Sequence, residues 1–185
     1  MRGIDVSHWN QLTDLFKYDS DFIIAKLTEG KTVKDYTVYL YGAIAQAYEI
    51  PFGVYHFAHP EKNSVIDEVK NVEEALRGFH EKKPEMIAID IEGNALICSN
   101  EYLDKWVYDF LTLLSTKTDA ELLIYCSQST CKRFSTVTAN KYGLWVARYR
   151  KEDLGYGDVS PWNTARIWQY DSKDVDKNIM YTEGF

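Results

Sequence analysis

The sequence is short of cysteine and of basic residues. Its three cysteines, Cys98, Cys126 and Cys131, are an odd number without a metal-ligand spacing, so we expect small buried thiols and no disulfide framework, as in a protein folded in a reducing compartment. The 21 basic residues against 28 acidic ones give a net charge of -7, which argues against a nucleic-acid partner but leaves room for a local basic patch.

Long apolar runs are also missing. No segment approaches the length of a membrane span, and the N-terminus leads directly into an apolar strand instead of a secretion signal. We therefore expect synthesis in the cytoplasm without an encoded signal peptide, and no membrane partner. At 185 residues with 45% hydrophobic content, the chain suits one domain with a substantial core, so residues 1–185 are expected to form a single, monomeric domain.

Seven short apolar segments predict strands, and they lack strict alternation of apolar and polar residues. They cover residues 3–6, 22–27, 52–57, 86–91, 122–125, 144–147 and 167–170. Amphipathic stripes at helical spacing lie between them, over residues 41–48, 65–79 and 103–114. Near-continuous apolar strands separated by helices are typical of a parallel sheet covered by helices on its outer face.

The first five strands follow a βα rhythm, whereas glycines and a proline shorten the connections after residue 125. We therefore expect an α/β fold, an irregular TIM-like (β/α) barrel of eight strands, with about five βα units followed mainly by β strands. In such barrels the functional site lies at the carboxyl ends of the strands. Polar residues at those ends should therefore converge in space.

Asp90 and Glu92 follow the apolar run 86–89 and are the first candidates for chemistry. Side chains two apart on a strand share one face and are separated by ~6.6 Å along it, at ~3.3 Å per residue. Two like charges on one face raise at least one pKa unless a cation or hydrogen bonds intervene, which lets a carboxyl act as an acid near neutral pH. The pair predicts acid-base chemistry.

Other strand ends also carry polar and aromatic groups. Asp5 lies late in the first predicted strand, and the second and third end in Lys26 with Glu29 and in Tyr55 with His56. Comparable positions in the last third of the chain hold Tyr125, Trp145, Tyr149, Trp168 and Asp176. A bowl lined by carboxylates and aromatic rings suits a carbohydrate, because sugar rings stack on aromatic faces while their hydroxyls take polar contacts.

Six short motifs follow one another along essentially the whole chain. They are Gly3-Ile4-Asp5-Val6-Ser7, Lys26-Leu27-Thr28-Glu29-Gly30, Gly53-Val54-Tyr55-His56-Phe57, Asp90-Ile91-Glu92, Trp145-Val146-Ala147-Arg148-Tyr149, and Trp168-Gln169-Tyr170 followed by Val175-Asp176-Lys177-Asn178. Each is weak alone. In this order and spacing, the chain resembles the glycoside hydrolase family 25 muramidases, a lysozyme family that includes many bacteriophage endolysins.

The resemblance implies a lysozyme that cleaves the β-1,4 bond between N-acetylmuramic acid and N-acetylglucosamine, and so degrades bacterial cell-wall peptidoglycan with an antimicrobial effect. It implies Glu92 as the general acid, Asp90 as the group that assists on the other side of the sugar, and Asp5 and Asp176 as the rest of a four-carboxylate cluster. Glycoside hydrolysis needs one protonated and one ionised carboxyl, so we expect the proton on Glu92 and the charge on Asp90. Retention or inversion of configuration stays open, as does a phage or a bacterial origin.

Candidates for substrate binding are Tyr55, Tyr125, Trp145, Tyr149, Trp168, Lys26 and Glu29. We expect about half of the aromatic ones to contact ligand, because strand alternation places the others in the core. Two roles stay open for Lys26: an ion pair with Glu29 across the turn, or a contact with a substrate carboxylate. His56 is expected to be a packed strand histidine, and no metal or cofactor is expected.

Several alternatives remain. Asp176 lies in the acidic run 171–176, which would also suit a surface turn or a weak cation loop, although not an EF-hand. The barrel could bind wall glycan without cleaving it, or its carboxylates could hold Mg²⁺ or Ca²⁺ for a metal-dependent hydrolysis. Residues 171–175 are fewer than relatives often carry there, so we expect a low groove wall, and we expect no separate wall-binding module.

Overall fold

The computed structural model describes residues 1–10, 20–80, 82–182 and 184–185. The strands in this part of the chain are β1 (Arg2–Val6), β2 (Phe22–Glu29), β3 (Val33–Lys34), β4 (Phe52–Phe57), β5 (Met86–Ile91), β6 (Glu121–Ser127), β7 (Gly143–Ala147), β8 (Ile167–Asp171) and β9 (Asp176–Met180). The α-helices are α1 (Thr37–Ala47), α2 (Val65–Leu76), α3 (Asn100–Leu114) and α4 (Thr136–Lys141). Short 3₁₀ helices cover Gly93–Ile97, Gln128–Arg133 and Glu152–Leu154.

The strands close into the expected irregular barrel. Neighbours pair in the order β1, β2, β4, β5, β6, β7, β8 and β9, and β9 pairs with β1 to complete the ring. Pairing is parallel from β1 to β8 and antiparallel where β9 meets β8 and β1. The short β3 forms an antiparallel hairpin with the end of β2. The carboxyl ends of the parallel strands and the start of β9 therefore meet at one mouth.

Side chains along each strand alternate between the barrel interior and an outer layer beneath the helices. On β5, Met86 belongs to the inner core, whereas Ile87 and Ile89 belong to the outer one. The interior is filled closely: a Cβ added at Gly3 would lie 2.6 Å from the ring of Phe22. This period of two decides which polar residues face the mouth.

Helices α1, α2 and α3 coincide with the three predicted stripes, although α1 begins earlier than predicted and α2 ends at Leu76. Serine caps set two of the starting points. The Ser64 hydroxyl accepts a hydrogen bond from the Asp67 amide at 3.2 Å before α2, and the Ser99 hydroxyl accepts one from the Tyr102 amide at 3.2 Å before α3. None of the helices in the described residues is long and apolar enough to cross a membrane.

The last third of the chain differs most from the prediction. Strand β9 is the eighth strand of the ring, which the apolar segments did not locate, and Asp176 begins it as the register partner of Asp5. Asp176 therefore lies in a barrel strand, which corrects the surface-turn interpretation. The predicted connection from β1 to β2 includes residues 11–19, which lie outside the described residues. Cys126 and Cys131 are buried free thiols with their Sγ atoms 3.8 Å apart.

Candidate active site

A polar pocket of about 150 Å³ opens at the barrel mouth. We call it the carboxylate pocket. It is lined by Asp5, Tyr55, Asp90, Glu92, Tyr125, Trp145, Tyr149, Gln169 and Asp176. The fold thus brings the four predicted catalytic residues together with most of the aromatic candidates, although they come from strands all around the ring.

Asp90 has a buried carboxylate oxygen that no hydrogen bond within the described part of the chain satisfies. It is only 5% exposed, and its Oδ1 atom is buried with no hydrogen-bond partner among the described residues. Burial, and then the charges of Glu92 and Asp5, raise its pKa well above the ordinary aspartate range. A buried acceptor without a donor is costly in free energy, so this position suits a group that accepts a hydrogen bond from a bound ligand.

Glu92 lies at the rim of the same pocket, immediately after β5, and is exposed to solvent. Gly93 follows with φ at +56°, a conformation that glycine adopts without strain, and turns the chain into a short 3₁₀ helix. Partial burial of the carboxyl raises the pKa of Glu92, while the positive charge of Lys26 lowers it. The carboxyl therefore has both access to solvent and a tendency to keep its proton.

The expected division of labour, with the proton on Glu92 and the charge on Asp90, does not follow from the free pocket. Both pKa values are raised, and the deeper burial of Asp90 favours its neutral form more strongly. The sequence showed that the two carboxyls share a face. It did not show that one would be enclosed and the other exposed.

Asp5 and Asp176 are direct cross-strand neighbours in the antiparallel pair of β1 and β9. Burial and then the charge of Asp176 raise the pKa of Asp5 to about 7, although hydrogen bonds from Asn178 and Gln169 oppose the shift. Burial and then the charge of Glu92 raise the pKa of Asp176 to about 6. The carboxyls therefore titrate as a coupled group that retains protons near neutral pH.

Two buried amides, which the sequence analysis did not select, hold Asp5 in place. Gln169 and Asn178 are register partners on β8 and β9, and their side-chain nitrogens donate to Asp5 Oδ2 at 2.8 and 2.7 Å. Gln169 Oε1 accepts from the hydroxyls of Tyr125 and Tyr149, both at 2.8 Å. The sequence signal was available: Gln169 lies two residues after the inward-facing position 167, and Asn178 two after Asp176.

The aromatic candidates divide between the pocket and the outer core. Tyr55, Tyr125, Trp145 and Tyr149 line the pocket, and the Trp145 ring meets Tyr125 edge to face at a centroid distance of 4.7 Å. Trp168 does not line it. It is 1% exposed, packs in the outer core and donates from Nε1 to a backbone carbonyl at 2.9 Å, because alternation on β8 turns it away from the barrel interior.

Lys26 and Glu29 do not line the carboxylate pocket either. Lys26 Nζ donates to Glu29 Oε2 at 2.6 Å, and Glu29 Oε1 lies 3.1 Å from Nε2 of His59. This geometry corresponds to the ion pair across the turn, the first of the two predicted roles. The charge of Lys26 nevertheless acts on the site, because it lowers the pKa of both Asp90 and Glu92.

His56 is a packed strand histidine, as predicted. Its Nδ1 lies 2.8 Å from Thr28 Oγ1, its Nε2 lies 2.8 Å from Glu68 Oε2, and its ring stacks on Phe110 at a centroid distance of 5.2 Å. These contacts lie outside the barrel, under α2. Throughout the described residues, no group of three or more His, Cys, Asp or Glu side chains is arranged to hold a metal ion.

The chain is similar to known proteins in sequence and in fold. The chain is similar to the solved structure of a lysozyme from Streptomyces coelicolor, with 26% identity and a TM-score of 0.84 over 98% of this chain and 92% of that one. It is also similar to that of a muramidase from Acremonium alcalophilum, with 23% identity and a TM-score of 0.81 over 99% of this chain and 94% of that one. A third similar fold is the catalytic domain of an endolysin from a bacteriophage of Listeria monocytogenes, with 22% identity and a TM-score of 0.73 over 98% of this chain and 93% of that one. No curated protein gives a significant match. The profile of Glycosyl hydrolases family 25 matches residues 4–179, so the chain belongs to this family and is a glycoside hydrolase.

Proposed function

We propose that this glycoside hydrolase is a muramidase, which cleaves the β-1,4 bond between N-acetylmuramic acid and N-acetylglucosamine in peptidoglycan. The observation that carries the proposal is the carboxylate pocket, where four acidic groups with raised pKa values lie beside aromatic rings at the open end of the barrel. Glycosidic hydrolysis requires a proton donor and an anionic partner around the reacting sugar. The similarity to a lysozyme at 26% identity supports the same substrate class.

Glu92 is the general acid in this proposal. It lies at the rim, where it is accessible to the leaving oxygen of a bound glycan, and its raised pKa keeps it protonated at a higher pH than an ordinary glutamate. The opposing charge of Lys26 keeps the acid strong enough to release its proton. Exposure and a moderately raised pKa together fit a group that must exchange its proton in every turnover.

Asp90 assists from inside the pocket. Its unpartnered Oδ1 can accept a hydrogen bond from the amide N–H of a 2-acetamido group on the substrate. A hydrogen bond to the ionised form favours that form, so substrate binding would place the negative charge on Asp90. The proton would then remain on Glu92. In this proposal the bound substrate, and not the pocket alone, places the proton on Glu92 and the negative charge on Asp90.

Asp5 and Asp176 support this pair of groups. Asp5 is fixed by Gln169 and Asn178 and faces Asp176 across the strands, so it supplies a positioned carboxyl group close to Asp90. Tyr55, Tyr125, Trp145 and Tyr149 provide the surface on which a sugar ring is held. Because one chain supplies the complete pocket, we propose that the barrel acts on the wall as a single catalytic domain and as a monomer.

The test is the release of reducing ends from purified bacterial walls by Glu92→Gln. Loss of a general acid should lower kcat by at least ~10²-fold with little change in KM, since the amide keeps the shape of the side chain but cannot supply the proton. Glu101→Gln, on the exposed start of α3, is the matched control and should retain full activity.

Mass spectrometry of the products identifies the bond. A new reducing end on N-acetylmuramic acid supports a muramidase, and one on N-acetylglucosamine contradicts it. Normal turnover by Glu92→Gln would overturn the role of Glu92. Glycan binding without any product from the unsubstituted protein would instead indicate a binding barrel.

A further inference from the structure

A second recess, of about 530 Å³, lies at the carboxyl ends of β7 and β8. We call it the basic pocket, because its lining includes Arg150, Lys151 and Lys173 together with the rings of Tyr149 and Tyr170. Three cations around one recess stand out in a chain with a net charge of -7. The recess therefore has a charge opposite to that of the molecule as a whole.

The two acidic residues that line the basic pocket are already neutralised by cations from outside its lining. Glu152 binds the guanidinium of Arg2 through two hydrogen bonds, of 2.8 and 2.6 Å. Asp171 accepts a hydrogen bond from Lys177 Nζ at 2.9 Å. Their negative charges therefore do not cancel those of the lining cations.

Arg150, Lys151 and Lys173 have no ion-pair partner among the described residues. Lys151 and Lys173 are exposed, and Arg150 is half-buried. Cations that are close together and unpaired repel one another until an anion joins them. Charge-assisted hydrogen bonds to carboxylates are also the strongest that such side chains form. The basic pocket is thus suited to a ligand with more than one carboxylate.

Tyr149 connects the basic pocket to the carboxylate pocket, since its side chain lines both. The ring is 57% exposed, and its hydroxyl is anchored on Gln169 at 2.8 Å. A sugar bound in the carboxylate pocket therefore has the basic pocket directly beside it. An anion attached covalently to that sugar is present there at a far higher effective concentration than any free anion.

We propose that the basic pocket binds the anionic peptide stem carried by the muramic acid residue, through the free carboxylates of the stem, and so makes the enzyme prefer peptide-bearing glycan over bare glycan. This inference rests on the proposed function. Phosphate-rich wall polymers are also anionic, but they are not attached to the sugar in the carboxylate pocket. The shared wall at Tyr149 therefore favours the peptide.

The test compares binding of a disaccharide-peptide and of the same disaccharide without peptide, measured by calorimetry. The unsubstituted protein should bind the peptide-bearing ligand more tightly. In the triple variant Arg150→Gln/Lys151→Gln/Lys173→Gln, Kd for that ligand should rise ~10-fold or more, while Kd for the bare disaccharide should change less than about twofold. The variant Lys70→Gln/Lys83→Gln/Lys132→Gln removes the same charge from exposed positions elsewhere and should match the unsubstituted protein.

Turnover gives a second, independent comparison. On walls stripped of phosphate polymers, kcat/KM of the first triple variant should still fall ~10-fold, and the defect should disappear on glycan whose stems an amidase has removed. A defect confined to unstripped walls would overturn the proposal in favour of phosphate binding. Equal losses on peptide-bearing and bare ligand would overturn it as well. If the unsubstituted protein cleaved nothing, the proposed function would fail, while the calorimetric difference would still decide what the basic pocket binds.

Discussion

Two carboxylates are buried in this protein in opposite ways. Glu68, on α2 outside the barrel, is fully buried and contacts a ring nitrogen of His56 at 2.8 Å, the His59 amide at 3.1 Å and the Asn63 side-chain nitrogen at 2.7 Å. Asp90, inside the mouth, is 5% exposed, has acidic neighbours, and leaves Oδ1 without a partner. One carboxylate is surrounded by donors, and the other by like charges.

The difference indicates a structural role for Glu68 and a role in ligand binding for Asp90. A buried charge whose hydrogen bonds are all made ties elements together, and here Glu68 joins α2 to the loop after β4 and to the histidine of β4. A buried charge without partners destabilises the fold and is retained where a ligand will complete it. The two residues should therefore respond to neutralisation with opposite signs of stability change.

The largest stability effect is expected for Glu68→Gln. The substitution keeps the shape, but it replaces one of the two acceptor oxygens by an amide NH₂ group, which cannot accept a hydrogen bond. Only one oxygen is then left for the donors of His56, His59 and Asn63. The free energy of unfolding should fall by about 3 kcal/mol, as for other broken buried ion pairs and networks. Urea unfolding measures the loss. Glu74→Gln, at an exposed ion pair with Lys34, is the control and should leave the midpoint almost unchanged.

Asp90→Asn should have the opposite signature. On folding, Asp90 must either keep its charge among like charges or take up a proton that the unfolded chain does not bind near pH 7. Asparagine avoids both costs, so the unfolding free energy near pH 7 should rise by about 1 kcal/mol or more. Activity on walls should fall by ~10²-fold, because the amide cannot take the negative charge. A variant that lost stability as Glu68→Gln does would contradict the contrast between the two sites.

The pH dependence of stability tests, without the Asp90→Asn substitution, whether the carboxylate pocket destabilises the fold. The native pKa values of Asp5, about 7, and of Asp176, about 6, lie above the ~4 of an unfolded aspartate. Between these values the native state binds more protons than the unfolded state, so these groups make stability fall as the pH rises from about 4 to about 7, and add no further slope above that. The slope is at most ~1.4 kcal/mol per pH unit for each proton.

Urea unfolding at several pH values measures this slope, and Asp5→Asn should reduce it. Asp119→Asn, at an exposed position before β6, should leave it unchanged. A slope in Asp5→Asn equal to that of the unsubstituted protein would show that the carboxylate pocket is not its source. Activity should decline through the upper part of the same window, because the cluster loses its protons there.

The sequence predicts the barrel well where the pattern is local. Strand β5 and helix α3 each combine a uniform apolar period with a clear end, and both lie where the pattern places them. Strand β9 was missed because its residues 176–180 are mostly polar, since three of them belong to the site or to the surface. Its pairing with β1 joins opposite ends of the chain, which no local pattern records.

The site shows the same limit. Asp90 and Glu92 could be placed together from their spacing alone, but Trp168 was selected by residue type when the alternation on β8 selected Gln169. The enclosure of Asp90 depends on side chains contributed by neighbouring strands, and the role of Asn178 depends on the register of β9. Candidate catalytic residues can be selected from a sequence by their type and spacing. The neighbours that set their burial, hydrogen bonds and pKa values are known only from the tertiary fold.

The smallest expected effects come from the two hydroxyls on Gln169. Tyr125 and Tyr149 both donate to Gln169 Oε1 at 2.8 Å, but Tyr125 is 7% exposed and Tyr149 is 57% exposed. Water can replace the lost hydroxyl of Tyr149→Phe, so its unfolding free energy should fall by less than about 0.5 kcal/mol, against about 1 kcal/mol for Tyr125→Phe. Urea unfolding of both variants measures the difference. Equal losses would mean that burial does not set the strength of these two hydrogen bonds.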